Sequence, residues 1–322
     1  MIKKFGMEHC KPASTPARPG VKLVQKPTEE NVEVDRLREY QQLVGSLLYA
    51  AITTRADIMH AVAQLTRFMS NPGSDHWEAA RHVLRYLRGS IGVRLHYRYR
   101  PSVHSSSTVI PTSTVAGQQF TTLVWCDADW AQCEESRRST TGVLVQLLGC
   151  SVLWLSKRQP TVSLSSTEAE YMALGQGVRE LQWVHSLLVE LQLRSPQQKA
   201  PSDDASVVQL QESHRGQLKS SEFVQEKIIP PSTLLTDNQA AEALVHQRGA
   251  MAARSKHIDV RHHHIREVVL SGAARVEWVP TASQLADVFT KSLDRVAFCR
   301  LRGAITGEAS NIEEKRSSEA SE

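Results

Sequence analysis

The chain is predicted to be an α/β protein, a mixed five-stranded sheet flanked by helices and preceded by a small, mainly helical region. Three observations carry this. Between Arg36 and Gly89 apolar residues recur at helical spacing, with no strand-like run. From position 119 onward short β-branched and apolar runs alternate with helical stretches, in the order βββ, α, β, α, α, β, α. Between the two lies RPSVHSSSTVIPTSTVAGQ, whose Ser, Thr and Pro content marks a linker. The chain has 322 residues, enough for one or two cores at roughly 100–200 residues per domain.

Residues 1–34 carry scattered Pro, Gly, Lys and Glu without a period, and are expected to form an irregular arm that builds no core. Residues 35–100 hold three helical stretches, DRLREYQQLVGSLLYAAITT, ADIMHAVAQLTRFMS and SDHWEAARHVLRYLRG. In the third, Trp77, Ala80, Leu84 and Leu87 repeat at helical spacing, Ser74 or Asp75 is placed to cap it and Gly89 to end it. This region reads as a packing unit without chemistry of its own. After a linker at 101–118, residues 119–302 form the α/β domain. Its strands are TTLVWCD, STTGVLVQLL, CSVLWLS, STLLTD and ARVEWVP. The long helix SSTEAEYMALGQGVRELQWVHSLLVEL follows the third strand, with Ser165 or Ser166 as its cap. Residues 194–231 are polar and Pro-punctuated and read as a mobile insertion. Helices are expected at NQAAEALVHQ, at the basic stretch ending HIREVVLSG and around SQLADVFTKSL, and a disordered tail at 303–322.

Composition narrows the function. Hydrophobic residues at 41% and charged residues at 22% describe a folding chain. A net charge of +4 identifies no nucleic-acid partner by itself, so charge has to be read locally. Five scattered cysteines without a CxxC pair argue against a disulfide framework or a zinc knuckle, and fit a reducing compartment. No apolar run approaches the roughly 20 residues of a membrane span, so no membrane partner is expected.

Four acids stand apart from surface charge. Asp127 ends one strand, Glu168 lies in the first turn of the long helix, Asp237 ends another strand and Asp287 opens the final helix. Taken singly, each is more readily a turn former or a partner of a helix dipole. Strand ends and helix starts from one sheet can converge, however, and convergent carboxylates persist where cations neutralise them. Oxygen-only ligands favour Mg²⁺. Two such ions about 3.5–4 Å apart stabilise the entering and leaving oxygens of a phosphoryl displacement.

A second feature is the concentration of Arg254, Lys256, His257, Arg261, His262, His263, His264 and Arg266. Such a stretch is suited to lie along a phosphate backbone, and the competing reading is a solvated helix face. A metal site at His262 to His264 is the weakest reading, because adjacent helical residues point in different directions. Ser166 and Thr167 either donate to a 2′-hydroxyl or cap the helix, with capping the safer choice.

The segments CDADW, SSTEAEY, LLTDNQAA, SKHIDVRHHHIRE and VEWVPTASQLADVFTK occur in this order. Together they closely resemble the ribonuclease H domain of copia-type LTR retrotransposon Pol polyproteins. Upstream, FGMEHCKPASTP, YQQLVGSLLYAAITTRADIMHAV and HWEAARHVLRYLRGSIGVRL resemble the stretch that joins the reverse transcriptase to that domain. No Tyr-x-Asp-Asp polymerase signature is present, so the resemblance implies a C-terminal fragment without palm and fingers.

It further implies a ribonuclease H-like sheet and an endoribonuclease that cuts the RNA strand of RNA:DNA hybrids with two Mg²⁺ ions, Mn²⁺ substituting. Asp127, Glu168, Asp237 and Asp287 become the catalytic, metal-holding residues, with Asp129 and Glu170 as runners-up in their own motifs. Ser166, Arg254, Lys256, His257 and Arg261 become contacts to nucleic acid, His257 within the family's Lys-His-Ile-Asp motif. The implied partners are the hybrid and, in a longer polyprotein, the reverse transcriptase palm and fingers. The implied location is intracellular, in cytoplasmic virus-like particles or the nucleus. Departures from the family pattern are the insertion at 194–231, the Ser/Thr-rich stretch at 104–116, and Gln132–Cys133 where a Gly is common. The alternative is an inert retroelement remnant that binds nucleic acid without cutting it. An integrase-like enzyme is disfavoured by the order Asp, Glu, Asp, Asp.

Overall fold

The computed structural model describes residues 1–25, 34–97, 113–115, 118–120, 122–191, 232–246 and 264–308. The expected insertion at 194–231 and the tail beyond 308 lie outside the described residues.

The helical region forms as its periodicity requires. Helix α1 (Val34–Thr53) buries Tyr40, Leu43, Val44, Leu47 and Ala51, steps of three and four that make one face. A short turn (Ala56–Ile58) leads into α2 (Met59–Thr66), and α3 (Ser74–Gly89) follows. Neither Ser74 nor Asp75 caps α3. Its N-cap is Gly73, whose amide donates to His76 Nδ1 at 2.7 Å.

At the centre of this region Arg55 donates through Nε and Nη2 to both oxygens of Asp57, at 2.9 and 2.8 Å. The Tyr86 hydroxyl donates to the same carboxylate, which is 1% exposed. Arg302 reaches the Tyr86 oxygen at 3.4 Å and joins the C-terminal helix to the group.

The irregular arm lies against this core. Ile2, Phe5, Ala13 and Leu23 pack against it. The amide of Ala13 donates to Arg85 O at 3.2 Å, and Arg85 Nε donates to Lys11 O at 2.7 Å. An irregular strap seated by side chains on a helix has no period to read, which is why composition alone left it outside.

Five strands make the sheet: β3 (Thr122–Asp129), β4 (Thr140–Leu147), β5 (Cys150–Arg158), β6 (Ser232–Thr236) and β7 (Ala274–Trp278). A short antiparallel pair, β1 (Ser113–Val115) and β2 (Gln118–Phe120), straddles the end of the expected linker. The order is β5-β4-β3-β6-β7, antiparallel for the first three and parallel across β3-β6-β7. This is the expected mixed five-stranded sheet flanked by helices.

Each face of the sheet has its own apolar cluster. On one face lie α4 (Ser166–Glu190), α5 (Gln239–His246) and α6 (264–270), covering Val124, Cys126, Val143 and Val145. Gly177 lets α4 sit close, since a Cβ there would stand 2.4 Å from Cys126 Sγ. On the other face, Leu144 joins α1–α3, the segment Leu285–Phe289 and α7 (Arg295–Thr306) in a second cluster. Trp154 on β5 donates to Ala51 O of α1 at 2.8 Å. The early helices therefore cover the sheet directly.

The C-terminal elements differ from expectation. SQLADVFTKSL forms a 3₁₀ turn, Leu285–Phe289, preceded by another at Thr281–Ser283, and the last helix is α7, capped by Asp294 through the amides of Val296 and Ala297. That helix runs past Gly303 to Thr306, burying Phe298, Leu301 and Ile305 at helical spacing, so the expected tail does not begin at 303. Among the described residues, no helix is long and apolar enough to cross a membrane.

Candidate metal centre

Strands β3 and β6 run parallel, with Trp125 opposite Leu235, so their C-terminal ends reach the same edge. Asp127 sits near the end of β3, and Asp237 directly follows β6. The third acid, Asp287, arrives from across the sheet on the Leu285–Phe289 turn. One carboxylate oxygen from each of the three lies within 4.8 Å of the others.

The turn is fixed to the strand by specific contacts. Gln284 Nε2 donates to Cys126 O at 2.9 Å, and its Oε1 accepts the Ala286 amide at 3.2 Å. The Thr290 hydroxyl donates to Asp127 Oδ2. Gly142 on β4 faces this turn, and a Cβ there would meet Thr290 Cγ2 at 2.7 Å and Ala286 O at 2.8 Å. On the other side, Trp278 Nε1 donates to Asp237 O at 3.1 Å.

Electrostatics follow from burial. Asp127 is 2% exposed and its carboxyl is held above the usual carboxylate range, chiefly by desolvation. Asp287 is pushed up to about 7 by burial and then by the charge of Asp127. Lys291 lies within the cluster, its ammonium 2.8 Å from Asp287 Oδ1 and 4.0 Å from Asp127 Oδ2. Burial works to lower its pKa, but the negative charge of Asp127 and Asp287 holds it above the usual lysine range. A cation is thus part of this carboxylate group.

Of the four expected acids, the structure brings three together and leaves one aside. Glu168 accepts the Leu164 amide at 2.7 Å, while its own amide donates to Ser165 Oγ at 3.1 Å. Ser165 thus caps the Glu168 amide, and the Glu168 carboxylate is taken up by the Leu164 amide just before the helix start. Two positions on, Glu170 is buried, its Oε2 has no hydrogen-bond partner among the described residues, and the Ala128 amide hydrogen-bonds the carboxyl. Burial, then the charges of Asp127 and Asp237, push it up to about 10. The acid of α4 that feels the cluster is therefore Glu170. Asp129, half-buried, is pushed up to about 7 by burial and then by Asp127.

Ser166 is exposed in the first turn of α4, next to the capping Ser165. Arg254, Lys256, His257 and Arg261 lie outside the described residues. The reading of the sequence missed Thr290 and Lys291. A Lys four residues after Asp287 was the available signal, since that spacing brings side chains together in helical backbone. Gly142 gave no signal, because its role depends on a turn more than 140 positions away.

The donor set suits a hard divalent cation: carboxylate oxygens only, with Asp127, Asp287 and Glu170 buried and, among the described residues, a Glu170 oxygen without a hydrogen-bond partner. No protein-family model matches the chain. The retrovirus-related Pol polyprotein from transposon TNT 1-94 of Nicotiana tabacum is 33% identical over 302 residues, covering 92% of this chain and 19% of that protein. The Pol polyprotein from transposon RE2 of Arabidopsis thaliana is 34% identical over 300 residues, covering 92% of this chain and 17% of that protein. The chain thus spans less than a fifth of the length of either relative. Among solved structures, the N-terminal RNase H domain of rv2228c from Mycobacterium tuberculosis aligns with 56% of this chain and 95% of its own, at 11% identity and a TM-score of 0.33.

Proposed function

The chain belongs to the retrovirus-related Pol polyproteins of transposons, and from that premise we propose that it is their ribonuclease H part, hydrolysing the RNA strand of RNA:DNA hybrids with Mg²⁺. The observation that carries the reading is the convergence of Asp127, Asp237 and Asp287 within 4.8 Å at one edge of a mixed sheet. Glu170 beside them completes a set of four acids from β3, α4, the end of β6 and the Leu285–Phe289 turn.

In this reading Asp127, Glu170, Asp237 and Asp287 hold the cation. Bound there, Mg²⁺ supplies Lewis-acid polarisation of phosphate oxygens and makes water a better nucleophile at neutral pH. The protein's own groups set the geometry. The Thr290 hydroxyl orients Asp127, Trp278 fixes the backbone of Asp237, and Gln284 locks the turn that carries Asp287. Lys291 adds fixed positive charge where negative charge builds on the phosphate. Water adds to phosphorus and the bond to the 3′ oxygen breaks, leaving a 3′-hydroxyl and a 5′-phosphate. The RNA strand is selected through its 2′-hydroxyls, since phosphates are common to both strands.

The test is cleavage of an end-labelled RNA:DNA hybrid in Mg²⁺, beside duplex DNA and duplex RNA. Hybrid-specific cutting that is lost in Asp127→Asn and Asp237→Asn supports the reading. Binding without cutting by the unaltered chain would instead identify an inert remnant.

A further inference from the structure

Between the arm and the helices it lies on is a cavity of about 230 Å³, lined by α2, α3, residues 16–24 and residues 132–134. An apolar cavity of about 150 Å³ is enough to hold benzene, so this one has room for a ring and a few further heavy atoms. Much of its lining is apolar, including Val21, Leu23, Leu65, Ala79 and Val83. Three polar groups of the lining are buried and unsatisfied. His60 Nδ1, His82 Nδ1 and Arg67 Nε make no hydrogen bond among the described residues. Buried polar groups are nearly always satisfied, so three orphans around one cavity point to a molecule that bonds to them.

The chemistry of the orphans defines their partner. The Phe289 carbonyl accepts from the His60 ring, and Thr15 O accepts from His82 Nε2 at 3.0 Å. A carbonyl only accepts, so in each ring the proton sits on the engaged nitrogen. Burial lowers the pKa of both, that of His60 to about 4, which keeps the rings neutral and leaves each Nδ1 a bare acceptor. Arg67 is held through its other nitrogens, Nη1 donating to Gln64 Oε1 at 2.7 Å and Nη2 to Cys133 Sγ at 2.9 Å. Its Nε–H is a donor. The cavity thus offers two acceptors and one donor.

Access and charge fit a small neutral guest. The arm residues Arg18 and Lys22, which line the cavity, are neutralised by Glu78 at 2.8 Å and Glu134 at 3.0 Å. All four side chains are at least half exposed, and ion pairs of that kind contribute little, so this part of the arm can lift at small cost.

We propose that this cavity binds a small uncharged ring molecule whose edge carries an amino group beside a hydrogen-bond acceptor, a pattern that aromatic carboxamides and amino-substituted nucleobases share. The amino group supplies donors to the two imidazole nitrogens, the acceptor takes the Arg67 N–H, and the ring covers the apolar lining. The site stands independently of the nuclease reading.

Saturation-transfer NMR on the full chain, with benzamide, cytosine and toluene titrated separately, decides the matter. Benzamide or cytosine should bind, and the tighter of the two identifies the source as a carboxamide or a nucleobase. Toluene has the ring without the polar edge and should bind at least about tenfold more weakly. Ala79→Leu fills space in the lining and should abolish binding of all three. His82→Phe keeps a ring but removes one acceptor, and should weaken benzamide and cytosine about tenfold without weakening toluene. It also keeps the test open if Ala79→Leu fails to fold. Failure of both benzamide and cytosine to bind the parent, as expected of a cavity that holds water alone, overturns the proposal. So does toluene binding as tightly as benzamide, parent-like binding of benzamide by a folded Ala79→Leu variant, or a His82→Phe variant that affects benzamide and toluene alike.

Discussion

Asp127 on β3 stands directly opposite Gly142 on β4, and the missing side chain at 142 is what lets the Leu285–Thr290 segment reach Asp127. An added methyl would meet backbone at Ala286 O as well as Thr290. Gly142→Ala is therefore expected to cost about 1–3 kcal/mol by overpacking. It should also separate Asp287 from Asp127 and lower hybrid cleavage far more than that loss of stability explains. Urea unfolding beside cleavage rates checks this, and full activity in a destabilised variant would place the turn outside the site.

Glu168 and Glu170 give opposite expectations although they are two positions apart. Glu170→Gln should reduce cleavage by about 100-fold or more, because a charge is lost where cation and phosphate meet. The melting temperature of the metal-free variant should not fall, since the Glu170 carboxyl, pushed up to about 10, is already neutral near pH 7 and Gln is its uncharged counterpart. Glu168→Gln should cut at near the parent rate and lose about 0.3–1 kcal/mol at the start of α4. The reverse pattern would return the catalytic role to Glu168.

The raised carboxyls fix the pH dependence of the metal-free protein. Asp129 and Asp287 at about 7 and Glu170 at about 10 all lie above their unfolded values near 4. Groups of this kind favour the folded state while protonated. Their contribution is complete below about pH 4 and is lost as pH rises through 7 and on toward 10. Melting in EDTA should accordingly be lower at pH 9 than at pH 6, and Mg²⁺ should raise the melting temperature more at the higher pH. A metal-free protein that gains stability over that range would contradict the shared burial of these acids.

The helical region holds a separate prediction. Asp57→Ala leaves the half-buried Arg55 without its bidentate partner and removes the acceptor of the Tyr86 hydroxyl. The loss should be about 3–5 kcal/mol in denaturant unfolding. Tyr86→Phe, which keeps the ring against Phe298, should cost about 1 kcal/mol.

Asp127 and Asp237 were legible as strand-end acids because β-branched runs and the polar residues that stop them are local signals, while their expected role came from the motifs CDADW and LLTDNQAA. Asp287 was legible as a residue but not as a 3₁₀ turn, since SQLADVF carries helix-forming residues in a segment whose shape is set by packing on Gly142. The choice between Glu168 and Glu170 was open to a closer reading. Ser165-x-x-Glu168 carries the sequence signature of a helix start, and Glu170 follows the buried Ala169 on the inward face of α4. What periodicity could not supply is the partner of an amphipathic face. The stripes of α1 and α3 predict burial, but nothing in them names Leu144 and Phe289 as what they bury against.

That shared cluster bears on where the chain can be cut. Beginning an expression product at position 119 would keep every acid of the centre, yet it would strip α1, α2 and α3 from one whole face of the sheet. Leu144, Phe289, Phe298 and Ile305, now 3% exposed or less, would meet water together. A bare patch of that kind invites self-association and dye binding. The shortest well-behaved fragment that keeps the carboxylate centre is then set by the helices that roof its sheet, and these stand before β3.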